Sequence, residues 1–205
     1  MKQTFNKIDR DDDYNRLTLG IQVARGIAAK RLMKDPKLLT MEDLIKAGPI
    51  LVYNGHLQQN QELNDALKYG DISTYPAEKF KILPLDPKQL NTHGLFISFK
   101  NAFTLDNTSI ALVTHAYHFP RISRMFSKNP QHLSDNQNIK IYAFLVDKEF
   151  CSPGINKNVQ GEIKRLQNYY LQGIIANSAY QKIIYKQRAR KISIKFNYRD
   201  KKFFY

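Results

Sequence analysis

Ser109-Ile110-Ala111-Leu112-Val113-Thr114-His115-Ala116-Tyr117-His118-Phe119-Pro120-Arg121-Ile122 is the stretch that decides the fold. Its first half is a short apolar run, read as a buried strand over Ser109 to Thr114. A polar turn follows, Pro120 stands where helix position N1 falls, and Ile122, Met125 and Phe126 continue one helical face. The next apolar run, Ile139 to Val146, is ended by Asp147 and supplies a second strand, so the region opens as a βαβ unit.

The same alternation extends outward. Upstream, Leu95, Phe96, Phe99 and Phe103 have helical spacing from Thr92 onward, until Asn107 and Thr108 break it. Before them lie Phe80-Lys81-Ile82-Leu83, a strand stopped by Pro84 and Pro87, and a helix over Gln58 to Tyr69 closed by Gly70. Pro49-Ile50-Leu51-Val52-Tyr53 is a further strand, stopped by Asn54-Gly55, and Met41 to Ala47 is a short helix. Leu17, Ile21, Ala24, Ala28 and Leu32 mark a longer helix ended by Pro36, with Asp9 and Asp11 to Asp13 at its N-terminus, where the helix dipole favours anions. Downstream, an amphipathic helix runs from Val159 to Leu171 and is closed by Gly173. Short apolar strands alternating with amphipathic helices predict an α/β fold, a three-layer Rossmann-like domain with a mainly parallel sheet. Its core strands are expected at Ile50 to Tyr53, Lys81 to Leu83, Ser109 to Thr114 and Ile139 to Val146. Residues 1–180 are expected to form this single domain and residues 181–205 a basic, aromatic C-terminal extension, in which Ile192 to Tyr198 alternate as an edge strand would.

The 205 residues carry 32 basic and 18 acidic side chains, net +14, which invites a polyanion partner. Residues 181–205 hold nine basic groups against Asp200 alone, +8, so only +6 remains for the body. Tyr185, Phe196, Tyr198, Phe203, Phe204 and Tyr205 interleave with those cations, the pattern of a module that grips nucleic acid or an acidic membrane. A single cysteine, Cys151, closes no intrachain disulfide and fits a reducing compartment. Neither a signal-peptide core nor a run of membrane-spanning length is present, so a cytoplasmic protein without a transmembrane segment is expected.

In a parallel sheet ligands bind outside the carboxyl ends of the strands. Three strand exits are polar: Asn54-Gly55-His56, Asn91-Thr92-His93-Gly94, and Thr114 to Arg121. Four of the five histidines, His56, His93, His115 and His118, lie in these turns. Asn54, Gly55, Asn91, Thr92, Thr114 and Arg121 are therefore the candidate ligand-binding residues, with His118 and His115 as acid or base. Arg121, in the first turn of a helix, offers a fork for phosphate or carboxylate. Turns are polar for backbone reasons too, so each histidine alone also reads as a loop brace; the clustering favours a site. His115 and His118 with His56 or Asp147 could supply metal ligands, but H-x-x-H on such a turn lacks the one-face geometry of a helical zinc motif, and no metal is assigned. Dinucleotide, P-loop, nucleophile-elbow and C-x-x-C signatures are absent from the sequence.

The segment Ile110 to Arg121 resembles the bacterial ElyC/SanA/YdcF family, a group named for a domain of unknown function, whose signature looks like a strand ending V-T/S-x-A-x-H-x-x-R before a helix. Asn91-Thr92-His93-Gly94 resembles the family's N-T-containing turn. Tyr53-Asn54-Gly55-His56 stands where an S-G-G-like turn is usual, and Gly161-Glu162-Ile163-Lys164-Arg165-Leu166 with Tyr169 and Gly173 resembles the G-E-I-x-R-I stretch of soluble members. The resemblance covers Ile50 to Ile175. It implies a Rossmann-like α/β/α domain with a polar pocket and, for soluble members of the YdcF branch, a nucleotide-like ligand such as S-adenosylmethionine. Family domains usually begin with an apolar strand and a glycine-rich turn, whereas residues 1–15 here are polar and lead into the Leu17 helix; the first strand is lost or the chain is a truncated relative. The expected function is binding of an anionic or nucleotide-like small molecule at the strand carboxyl ends, as an enzyme of unknown reaction or as a binding protein. The alternative is polyanion binding through the tail.

Overall fold

The structure, a computed structural model, describes residues 12–55, 57–83, 92–103, 108–128, 140–146, 155–176 and 183–185. The chain divides into two compact units at Leu83/Pro84, the point where the proline breakers begin.

In the first unit α1 (Asp12–Leu32) and α2 (Met41–Ala47) precede β1 (Leu51–Tyr53), α3 (Leu57–Lys68) and β2 (Phe80–Ile82). A 3-10 turn, Pro36–Leu38, follows α1, with the Asp35 carboxylate accepting from the Lys37 N–H. The apolar face of α1 carries Ile21, Ala24 and Ala28, and packs with Leu39, Leu44, Ala47 and Tyr75 into one core. Small residues at four-residue spacing let α2 approach closely. The start of α2 is a capping box in which the Thr40 side chain accepts from the Asp43 N–H and Asp43 accepts from the Thr40 N–H. At its end the Tyr75 hydroxyl donates to the Pro49 carbonyl at 2.6 Å. A Cβ on Gly48 would lie 2.5 Å from that hydroxyl and 2.4 Å from the Leu44 carbonyl oxygen, so only glycine fits beneath the ring. Gly70, at φ +70°, closes α3 as expected.

The second unit holds α4 (Thr92–Ala102), β3 (Ser109–His115), α5 (Phe119–Lys128), β4 (Lys140–Val146), α6 (Ile155–Leu171) and β5 (Ile183–Tyr185). Its core combines Phe119, Ile122 and Phe126 of α5 with Ile141 and Ala143 of β4, joined by Phe96 of α4 and Ile110 and Leu112 of β3.

Every strand pairing among the described residues is parallel, as expected for βαβ units. They form two sheets, β1-β2 and β3-β4-β5, where one sheet through the four expected strands was anticipated. Ser109 pairs with Lys140 and the ladder runs without a break to His115 opposite Val146. β5 was not expected: Ile183 to Tyr185, at the start of the anticipated extension, pair with Ile141 to Ala143. Three β-prone residues between basic neighbours give too short an alternation to be recognised alone. The edge strand anticipated at Ile192 to Tyr198 lies outside the described residues. No described helix is long and apolar enough to cross a membrane.

Candidate functional site

The site builds up from the exit of β3. The chain turns at Ala116 to His118, where the His118 N–H donates to the His115 carbonyl at 3.0 Å, and α5 starts at once. His118 occupies the N-cap position, its carbonyl accepting from the Arg121 and Ile122 N–H groups at 3.2 and 3.3 Å. Pro120 in the first turn lacks a donor that the helix would leave without a partner anyway. Burial of Phe119, Ile122, Met125 and Phe126 fixes the rotation of α5, which directs Arg121 inward at only 5% exposure.

Facing it is α6. Glu162, Arg165 and Tyr169 recur at three- and four-residue steps on one helix face. Glu162, 2% exposed, accepts from Arg121 Nε at 2.7 Å through Oε2 and from Arg121 Nη2 at 3.0 Å through Oε1. Oε1 also lies 2.7 Å from Arg165 Nη1 and 2.9 Å from His118 Nδ1. The third arm of the Arg121 guanidinium, Nη1, donates to the Thr92 hydroxyl at the start of α4. Thr92 is brought there because Phe96, one turn later on α4, packs edge-on against Phe126 with ring centroids 4.5 Å apart. The Tyr169 ring lies 5.5 Å from the Arg121 guanidinium carbon, a cation–π contact.

The electrostatics follow from this count of donors. Burial alone would push the Glu162 carboxyl up, but hydrogen bonds from His118 and Arg121, with their charges, outweigh it and hold the group down at about 2. Glu162 is therefore ionised at neutral pH. His118 Nδ1 also lies 3.4 Å from Arg121 Nη2, but a nitrogen donating to a carboxylate at 2.9 Å cannot accept from a guanidinium as well. The shorter, charge-assisted bond decides the tautomer: the Nδ1–H points at Glu162. The His118 side chain keeps 22% exposure. Two guanidinium groups surround one carboxylate, which leaves the cluster with excess positive charge beside the N-terminus of α5.

Thr92, His118 and Arg121 are thus brought together. Thr114 and His115 end β3, both buried; His115 is fully buried and stacked by Tyr117 at 5.1 Å, with His118 edge-on at 6.0 Å. His115 is thus closed off from solvent, whereas His118 keeps part of its side chain exposed. Asn54 and Gly55 belong to the first unit, where the Gly55 N–H donates to Asn60 Oδ1 at 3.0 Å and Asn60 Nδ2 donates to the Leu83 carbonyl at 2.9 Å. Asn91, His56 and Asp147 lie outside the described residues, and among those described no cluster of three or more histidine, cysteine or acidic side chains could hold a metal ion. The fork of Arg121, expected to face a ligand, faces Glu162 instead. The sequence pattern alone assigns Glu162 and Arg165 no role. The available signal was a carboxylate recurring with Leu166 and Tyr169 on the inward face of an amphipathic helix, a place where an acid needs a cation.

Comparison of the chain with family models, with curated proteins and with solved structures finds no match.

Proposed function

We propose that the second unit binds an anionic small molecule at the carboxyl end of β3, with His118 as the group that exchanges a proton with it. The observation that carries this reading is the bond between His118 Nδ1 and buried, ionised Glu162, in a cluster with more cationic than anionic groups. A carboxylate that fixes one imidazole nitrogen orients the other and stabilises the imidazolium, which is how an acid–base histidine is prepared. Arg121 then acts as a positioning residue that holds Glu162 and Thr92 in place, a change from the direct anion contact expected of it. The β3-α5-β4-α6-β5 order with parallel pairing supports reading the unit as Rossmann-like, and the His118/Arg121 turn supports kinship with the ElyC/SanA/YdcF family and a nucleotide-like ligand, S-adenosylmethionine included.

A thermal-shift panel of inorganic phosphate, sugar phosphates, nucleotides and S-adenosylmethionine tests the proposal on the full chain. A ligand at a hundred times its Kd stabilises by about 2.7 kcal/mol, which raises the melting temperature by several degrees. A rise with a phosphate-bearing compound that is lost in His118→Ala supports the reading. No rise with any member of the panel contradicts it.

A further inference from the structure

We propose that the outward side of α6 seats on an anionic lipid surface, with Val159, Ile163, Tyr170 and Leu171 entering the headgroup layer. These four large apolar side chains stand open on one helix, at 37%, 51%, 54% and 81% exposure. Scattered singly over a surface they would need no explanation. At about 100° per residue, however, Val159, Tyr170 and Ile163 fall within an arc of about 40°, and Leu171 widens it to about 120°. The inward side of α6, with Glu162 and Tyr169 against Arg121 of α5, lies outside that arc.

Width and charge choose the occupant. A helix partner is met by a narrow seam at heptad positions, and Leu171 stands well off such a seam; a bilayer presents a broad apolar layer that takes the whole arc. Glu162, the only acid of α6, is 2% exposed and enclosed by its donors, so the helix presents no exposed anion. Lys164 lies about 20° beyond Leu171, exposed and without an ion-pair partner among the described residues. Lys157 falls seven residues earlier on the same edge of the helix. A lysine at the edge of an apolar arc lays its stem along the apolar layer and carries its ammonium to lipid phosphates. Tyr170 has the apolar ring and polar tip of an interfacial anchor. Gln160 and Gln167 lie inside the arc, which keeps the seating shallow, and α6 is not long and apolar enough to cross a membrane, so it lies in the plane of the surface. A nucleic-acid backbone would use the lysines and leave the four apolar side chains in water.

The chain contains no tryptophan, so Leu171→Trp places the sole indole at the proposed contact. The full chain carrying it is titrated with vesicles of phosphatidylcholine and phosphatidylglycerol in equal parts, and with phosphatidylcholine alone. Its emission should shift saturably to the blue with the mixed vesicles and stay unchanged with phosphatidylcholine. In vesicle sedimentation, Lys164→Gln should bind the mixed vesicles roughly fivefold more weakly than wild type. The double variant Ile163→Ser with Leu171→Ser should bind roughly tenfold more weakly, and Asn168→Ser, outside the arc, as wild type does. Circular dichroism should match wild type throughout, because every replaced side chain is exposed. Vesicle binding without a blue shift of Leu171→Trp means that the chain docks through another surface, the cations of residues 181–205 included, and overturns the proposal. Failure of the wild type to bind the mixed vesicles overturns it too. Self-association of the lipid-free chain that Ile163→Ser abolishes assigns this face to a second copy and has the same force. None of these results touches the anion reading at His118, which the thermal-shift panel decides.

Discussion

Arg121 and Glu162 meet as a two-point ion pair, Nε to Oε2 at 2.7 Å and Nη2 to Oε1 at 3.0 Å, with both side chains withdrawn from solvent. The pair joins the first turn of α5 to α6, and through Thr92 it reaches the start of α4. Two charges buried together stabilise little compared with a well-packed apolar pair, but removing one strands the other. The consequence is specificity of position: His118 is held where it is because Glu162 is.

Glu162→Met should destabilise the protein by about 3–5 kcal/mol, since it strands the buried charge of Arg121, and Arg121→Met by less, since Glu162 keeps its contacts with Arg165 and His118. The double variant should cost much less than the sum, because no charge is then stranded. Urea unfolding of the three variants checks this, and additive losses would show that the two side chains do not act as a pair.

Acid unfolding should carry the signature of Glu162. Its carboxyl is held at about 2 against an ordinary 4.5, so its contribution is fully present above about pH 4.5 and is lost as pH falls toward 2. The amount is on the order of 3 kcal/mol for a shift of that size. Stability of Glu162→Gln should be lower at neutral pH and flatter between pH 4.5 and 2, measured by urea midpoints across that range. A slope equal to wild type would place the acid sensitivity elsewhere.

In the first unit, Gly48→Ala should cost about 1–3 kcal/mol through overpacking against Tyr75 and the Leu44 carbonyl. The backbone there, φ −67°, is one that alanine adopts readily, so the loss is steric. Tyr75→Phe removes the hydroxyl that a Cβ would strike and should recover part of the loss in the double variant. Melting curves of the two singles and the double measure the coupling.

Asn60→Ala should destabilise by about 1–3 kcal/mol, as it strips the buried Gly55 N–H and Leu83 carbonyl of their partner. Gln61→Ala, one residue along on the exposed side of α3, should change stability by under about 0.5 kcal/mol. Equal effects from the two would mean that the Asn60 bridge is not formed in solution.

The elements were legible where periodicity and punctuation agree. Leu17 to Leu32 lies in α1, Gly70 and Gly173 end helices in the left-handed conformation, and Ser109 to Thr114 is six-sevenths of β3. α6 begins at Ile155, four residues before the expected Val159, because Asn156 and Asn158 obscure the first turn. Parallel pairing followed from strand–helix alternation, but division into two sheets depends on tertiary pairing that local pattern does not encode. His118, Arg121 and Thr92 were legible as polar residues at strand exits. Glu162 was not, since what makes it important is a partner 41 residues away. A bidentate fork looks the same in sequence whether it faces a ligand or a buried carboxylate.

Nitrogen-15 NMR of the full chain labelled at histidine tests the account most directly, with inorganic phosphate added stepwise at neutral pH. The arrangement around Glu162 puts the His118 proton on Nδ1 before phosphate is added, and the proposed anion site predicts that its Nε2 resonance then moves saturably while that of buried His115 moves little. An Nε2–H tautomer for free His118, or a His118 signal indifferent to phosphate, would contradict the claim that this turn is an anion site with a prepared acid–base histidine.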